Sequence, residues 1–195
     1  MNRTLIPAPL KGRIKAIPSK SYAHRLLICA ALAKESIAIR CPGSSRDIQA
    51  TAACLQAMGA GIQLTQDGFS VTPGAIPPKG LLPCGESGST LRFLLPVAAA
   101  LGMEASFLME GRLPERPLAP LDAQLEAHGI KLERPQPNLL RCSGKLRKTS
   151  LTTIPFLSTA AWWQWTVRHI CSPQRAVPEN PPIPHCGAMC SAAAR

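Results

Sequence analysis

The stretch Pro18-Ser19-Lys20-Ser21-Tyr22-Ala23-His24-Arg25 runs into Leu26-Leu27-Ile28-Cys29-Ala30-Ala31-Leu32-Ala33. The second half is apolar and helix-like. Ser19 stands where its hydroxyl can accept an amide hydrogen of the first turn, and Pro18 helps to separate strand from helix. Lys20, Ser21 and Arg25 then fall in the first two turns, the end of a helix that is already positive. Cations at that end are costly unless an anion is held there. Backbone amides, a hydroxyl, an ammonium and a guanidinium together suit a phosphate or a carboxylate. The plainer alternative is a capped surface helix with solvated basic residues.

Composition narrows the choices. The 195 residues carry a formal charge of +11 and have room for one medium domain, or one domain with an appendage. A hydrophobic content of 46% and a mean hydropathy of +0.06 suit a globular chain. The basic balance admits nucleic acid, acidic membranes or small anions as partners. No basic run is longer than a few residues, which argues against a nucleic-acid stripe. The longest apolar run is shorter than a membrane span, and Met1 to Pro7 lacks the apolar core of a secretory signal. The eight cysteines therefore read as reduced and mostly buried, in a cytoplasmic protein. His169, Cys171, His185, Cys186 and Cys190 fit no common zinc spacing, so no metal is expected.

Taken in order, Gly12 to Ile17 reads as a short strand. Ser36 to Cys41 alternates with period two, as a strand does. A helix from Arg46 to Met58 closes at Gly59. Ile62–Leu64 and Phe69–Val71 form a hairpin around Gln66-Asp67-Gly68, where Asp-Gly is a strong turn signal. Leu81 to Cys84 is extended. Glu86 to Arg92 reads as a polar turn leading into a helix over Phe93 to Leu101. Ala105 to Met109 is a strand, and Gly111 to Pro117 a loop. Leu118 to His128 is a helix closed by Gly129. Ile130–Glu133 and Leu139–Cys142 are paired strands.

The two halves are in register. Leu55-Gln56-Ala57-Met58-Gly59 matches Leu125-Glu126-Ala127-His128-Gly129, and Arg46 matches Arg116, both offset by 70 residues. Residues 19 to about 144 thus read as two helix–strand–helix–strand–strand units around a shared core. The repeat supplies two equivalent turns, at Lys20 and Gly88. Each opens a helix, and together they suggest a composite anion site.

Four motifs in order, Ser19-Lys20-Ser21 with Arg25, Asp47 with Thr51, Gly88-Ser89-Thr90-Leu91-Arg92, and Glu115-Arg116-Pro117, resemble 5-enolpyruvylshikimate-3-phosphate synthases over residues 5 to 146. The sister family, the UDP-N-acetylglucosamine enolpyruvyl transferases, shares the fold but usually has Lys-Asn where this chain has Lys20-Ser21. The resemblance implies an α/β (α+β) enolpyruvyl transferase fold, here incomplete, acting without a cofactor. It also implies transfer of enolpyruvyl from phosphoenolpyruvate to the 5-hydroxyl of shikimate 3-phosphate, with release of phosphate. Lys20 would lie between the substrates, with Ser21 and Arg25 holding shikimate 3-phosphate. Gly88 and Arg116 would hold phosphoenolpyruvate. Arg92 would support the site or serve as a salt-bridge partner. Asp47 would orient neighbouring groups or simply be a first-turn acid. His24 reads as a packing or surface residue. The partners implied are these two anions, with neither nucleic acid nor membrane, for a monomer.

The division expected is an N-terminal strand segment over 1–18, a lobe of two repeats over 19–146, and a divergent, irregular tail over 147–195. The tail holds Trp162, Trp163 and Trp165, and Glu179 is its one acid. It reads as disordered, or as the product of a shifted frame that ends early. The proton-transfer groups of the family would lie in an absent lobe, which leaves the catalytic residues of this chain unknown and its activity alone poor. The alternative functions are a non-catalytic anion-binding module on the same scaffold, or that of the related UDP-N-acetylglucosamine enolpyruvyl transferases.

Overall fold

The computed structural model describes residues 12–13 and 17–146. Most of the expected Gly12–Ile17 strand and the whole 147–195 tail, with its tryptophans and metal-capable residues, lie outside the described residues. Five elements form the first repeat: α1 (Lys20–Ala31), β1 (Ile37–Arg40), α2 (Arg46–Ala57), β2 (Gly61–Thr65) and β3 (Gly68–Thr72). After β4 (Lys79–Gly85), the second repeat runs α3 (Gly88–Leu101), β5 (Glu104–Met109), α4 (Leu121–Ala127), β6 (Ile130–Gln136) and β7 (Leu139–Gly144). A short 3₁₀ turn, Leu113–Glu115, precedes α4.

The sheets reproduce the repeat. The first is ordered β1-β3-β2 and the second β4-β5-β7-β6. In each repeat the last strand therefore sits in the middle, antiparallel to both neighbours. The helix that enters each hairpin ends at a glycine in the left-handed region, Gly59 at φ 99° and its counterpart Gly129 at φ 92°, as expected of a helix terminated by glycine. The extra strand β4 pairs parallel to β5 at the edge of its sheet. That position tolerates Pro83, which has no amide hydrogen to give to a ladder.

Two helix starts differ from the sequence reading. α3 begins at Gly88 rather than Phe93, because the Ser87 side chain caps it by accepting from the Thr90 amide at 3.3 Å. α4 begins at Leu121 rather than Leu118. Arg116 precedes Pro117 and is held extended, with φ −74° and ψ 132°, as pre-proline residues prefer. Pro120 then occupies the N-cap. Residues 46–50 are consequently helical where 116–120 are irregular, while the remainder of the two segments follows the same helix-to-strand path.

The core lies where α2 and α3 pack against each other and α2 against β4. Leu27, Cys54, Val71, Leu82, Leu94, Leu95, Phe107 and Cys142 have no exposed surface. Cys41, Cys54, Cys84 and Cys142 are buried free thiols, and burial raises the ionisation of Cys142 to about 11. Among the described residues, no helix is long and apolar enough to cross a membrane.

Candidate functional site

Three serines bring three helix N-termini to order. Ser19, Ser45 and Ser87 cap α1, α2 and α3, accepting from the amides of Tyr22, Ile48 and Thr90. Each cap satisfies one of the amides that the first turn leaves open.

The caps alone do not bring the helices together; side chains do. The Lys20 ammonium lies 2.5 Å from the Asp47 carboxylate. One turn deeper, His24 Nδ1 lies 2.7 Å from Thr51 Oγ1. Both pairs span 27 residues of sequence, so α1 and α2 lie side by side with their N-termini at the same end. The Thr90 hydroxyl attaches α3 to this pair. It is 2.7 Å from Thr51 Oγ1, donates to Ser87 Oγ at 2.7 Å and lies 3.3 Å from the Asp47 carbonyl. His24, Thr51, Ser87 and Thr90 are all buried.

His24 is thus a packing residue with a polar function that sequence reasoning missed. Burial lowers its basicity, since an imidazolium loses its hydration there. Asp47 opposes the shift, and Lys20 and Arg25 add to it. The parts of Ser87, Thr51 and Thr90 in the same network were also missed. The usable signal was a set of small polar residues on helix faces otherwise filled by Leu27, Leu55 and Leu94.

The second cluster surrounds Gly88. A Cβ at that position would lie 2.7 Å from Arg92 Nη1 and 3.4 Å from Arg116 Nη1. Both guanidiniums therefore lie beside the first residue of α3, where a side chain would crowd Arg92 and touch Arg116. Arg92 donates to the Gly88 carbonyl at 3.2 Å and to the Pro117 carbonyl at 2.8 Å. It thereby ties the loop after Arg116 to the start of α3. Arg116 itself is exposed.

Arg25 donates to the Ser21 carbonyl at 2.8 Å, and its guanidinium sits 4.9 Å from the centre of the Phe93 ring, on α3. This is a cation–π contact between the first and third helices. The sequence-predicted residues thus fall into neighbouring groups: Lys20 with Asp47, Gly88 with Arg92 and Arg116, and Ser21 with Arg25. The Asp47–Thr90 contact joins the first group to the helix that carries the second. Amide hydrogens and cations in such an assembly are the groups that suit an anion. Among the described residues, no three His, Cys, Asp or Glu side chains cluster closely enough to hold a metal ion.

Similarity to known proteins identifies the family. The sequence model of EPSP synthase (3-phosphoshikimate 1-carboxyvinyltransferase) matches residues 5–158, which extends past the point near residue 146 where the sequence motifs fade. A 3-phosphoshikimate 1-carboxyvinyltransferase from Clostridium kluyveri is 43% identical over 114 residues, covering 57% of this chain and 27% of the relative. One from Clostridium perfringens is 36% identical over 152 residues, covering 75% of this chain and 36% of the relative. The solved EPSP synthase of Acinetobacter baumannii shares the fold, with a TM-score of 0.64 at 19% identity over 82% of this chain and 37% of that one. The chain spans about a third of the length of these relatives. With most of its residues matched by the family's sequence model, the chain belongs to the EPSP synthase (3-phosphoshikimate 1-carboxyvinyltransferase) family.

Proposed function

We propose that this chain carries the anion-binding half of an enolpyruvyl transfer site, in a cytoplasmic, monomeric protein. The substrates are shikimate 3-phosphate and phosphoenolpyruvate. The observation that carries the reading is the convergence of the α1, α2 and α3 N-terminal turns, with Lys20 on one side and Gly88, Arg92 and Arg116 on another.

In the reaction, the 5-hydroxyl of shikimate 3-phosphate adds to C2 of phosphoenolpyruvate while C3 gains a proton. The tetrahedral intermediate then loses phosphate and a C3 proton. Lys20 serves both anions, since its ammonium has three donor hydrogens and only one is engaged by Asp47. Ser21 and Arg25 hold shikimate 3-phosphate. A guanidinium has five donor hydrogens, so Arg25 keeps its Ser21 contact and has others for a carboxylate. Phosphoenolpyruvate lies against Gly88, where the absence of a side chain allows close approach, and Arg116 binds it. Arg92 fixes the Arg116 loop, and Asp47 orients the Lys20 ammonium.

A second reading, an anion-binding module without chemistry, is favoured by one observation. Asp47 is already engaged by Lys20, and the acids on the neighbouring turns, Glu86 and Glu115, are exposed. Calorimetry of both substrates with the full 195-residue chain, paired with an assay of phosphate release, tests the two readings. Binding that is lost in Lys20→Ala supports the site. Unchanged binding in that variant discards it, and release of phosphate only when both substrates are present supports transfer over simple binding.

A further inference from the structure

We propose that His24, Thr51 and Thr90 are positioning residues of the anion site, a one-way chain of hydrogen-bond donors that fixes the spacing of the α1, α2 and α3 N-terminal turns. The inference rests on the anion-site reading above and adds to it residues that touch no substrate.

The direction of the chain follows from counting protons. Thr90 has one hydroxyl hydrogen, and its acceptors are Ser87 Oγ at 2.7 Å and the Asp47 carbonyl at 3.3 Å. A carbonyl only accepts. With that hydrogen spent, the 2.7 Å contact between Thr51 and Thr90 must be donated by Thr51. Thr51 then has nothing to give His24, so the 2.7 Å contact between them is donated by His24 Nδ1–H. Nε2 is left as a lone pair, and Nε2 is the buried atom without a hydrogen-bond partner among the described residues. An orphaned lone pair is more readily tolerated than an orphaned N–H, so the tautomer and the burial agree.

Each link lies just inside a residue of the site. His24 is one turn beyond Lys20, Thr51 one turn beyond Asp47, and Thr90 two residues beyond Gly88. Protonating Nε2 would bury a cation with no hydrogen-bond acceptor. Lys20 and Arg25 of α1 repel it and Asp47 of α2 attracts it; α3 presents Phe93 at the ring edge and the Thr90 hydroxyl.

Three measurements on the full chain decide the matter. A long-range ¹H–¹⁵N spectrum of the imidazoles should show His24 as the Nδ1–H tautomer. Thr51→Val should move the Gly88 and Ser89 amide resonances, although neither touches Thr51. Phosphoenolpyruvate affinity should fall about tenfold in Thr51→Val and His24→Leu and stay within about twofold in His24→Asn, whose amide places a donor where Nδ1–H stood. Wild-type affinity should also fall more steeply than that of His24→Asn as the pH drops, which cancels the titration of the ligand itself. An Nε2–H tautomer, or unmoved Gly88 and Ser89 amides, overturns the proposal whether or not the ligand binds. Equal affinity in Thr51→Val and wild type overturns it as well. If wild type binds neither phosphoenolpyruvate nor shikimate 3-phosphate, the functional reading fails, and the two spectroscopic outcomes still decide the donor chain.

Discussion

His24 Nδ1 and Thr51 Oγ1 meet at 2.7 Å, one helical turn beneath the contact of Lys20 with Asp47. The same pair of helix faces therefore carries an exposed ionic contact at its rim and a buried neutral one below it. The two layers respond differently to conditions. Salt screens the outer contact, while the inner one depends on the charge of a single imidazole.

That imidazole gives stability a pH dependence. Burial holds the folded-state basicity of His24 below the ordinary value of 6.5. As the pH falls through 6.5, the unfolded chain therefore takes up this proton before the folded chain does. The contribution is fully present above that pH and is lost as the pH falls toward the folded-state value. Urea midpoints measured from about pH 7.5 to about pH 5 should decline in wild type, with a shallower decline in His24→Asn. Parallel slopes would show that His24 is not the group responsible.

The outer contact should matter little to the fold. The side chains of Lys20 and Asp47 are 49% and 31% exposed, and pairs of this kind contribute about 0–1 kcal/mol. Lys20→Ala should lower the unfolding free energy in urea by no more than that while weakening phosphoenolpyruvate binding by at least about tenfold, since charge-assisted contacts are worth about 1.5–3 kcal/mol. A large loss of stability would mean that Lys20 supports the helix pair rather than an anion.

Gly88→Ala separates space from backbone freedom. Gly88 is not among the positive-φ glycines, so alanine suits its conformation, and replacing a helical glycine favours the helix by up to about 1 kcal/mol. The new Cβ would meet the ends of two flexible arginines, Arg92 at 2.7 Å and Arg116 at 3.4 Å. The thermal midpoint should hold or rise, and phosphoenolpyruvate affinity should drop because Arg92 is displaced and the new methyl fills the space beside Arg116. Unchanged affinity would remove Gly88 from the binding surface.

The contrast between Ser19 and Ser87 shows what the sequence made legible. Ser19 stands between a proline and an apolar run, so its cap was readable. Ser87 is followed by Gly88, and glycine beside polar residues reads as a turn, which hid the first turn of α3. The 70-residue repeat was readable because Leu55-Gln56-Ala57-Met58-Gly59 and its partner end their helices in the same way. The start of α4 was not, because Pro117 and Pro120 interrupt a pattern that otherwise continues. Lys20, Gly88 and Arg116 could be nominated from their charge, size and motif. The pairing of His24 with Thr51 could not, since it depends on the relative register of two helices, which nothing in either helix alone encodes.

The last prediction concerns turnover by the 195-residue chain. Enolpyruvyl transfer requires a proton delivered to one carbon and another removed from a hydroxyl, and a positioned acid or base supplies about 10²–10⁴-fold in rate for each such transfer. Lys20, Arg25 and Arg116 are cations suited to binding. Asp47 is held by Lys20, and Glu115 is exposed, where water competes for any proton it handles. Nor do the described residues close over the proposed anion site. Lys20 remains half exposed, so solvent screens its field and the electrostatic gain of a dry site is forgone. Binding of both substrates should therefore be measurable, while phosphate release stays far below the ~10 s⁻¹ typical of enzymes. The check is phosphate release by purified chain with both substrates saturating, against a Lys20→Ala control. Turnover within about tenfold of that typical rate, lost in the control, would show that this chain carries its own acid and base, and the assignment of Asp47 and Glu115 as bystanders would have to be reversed.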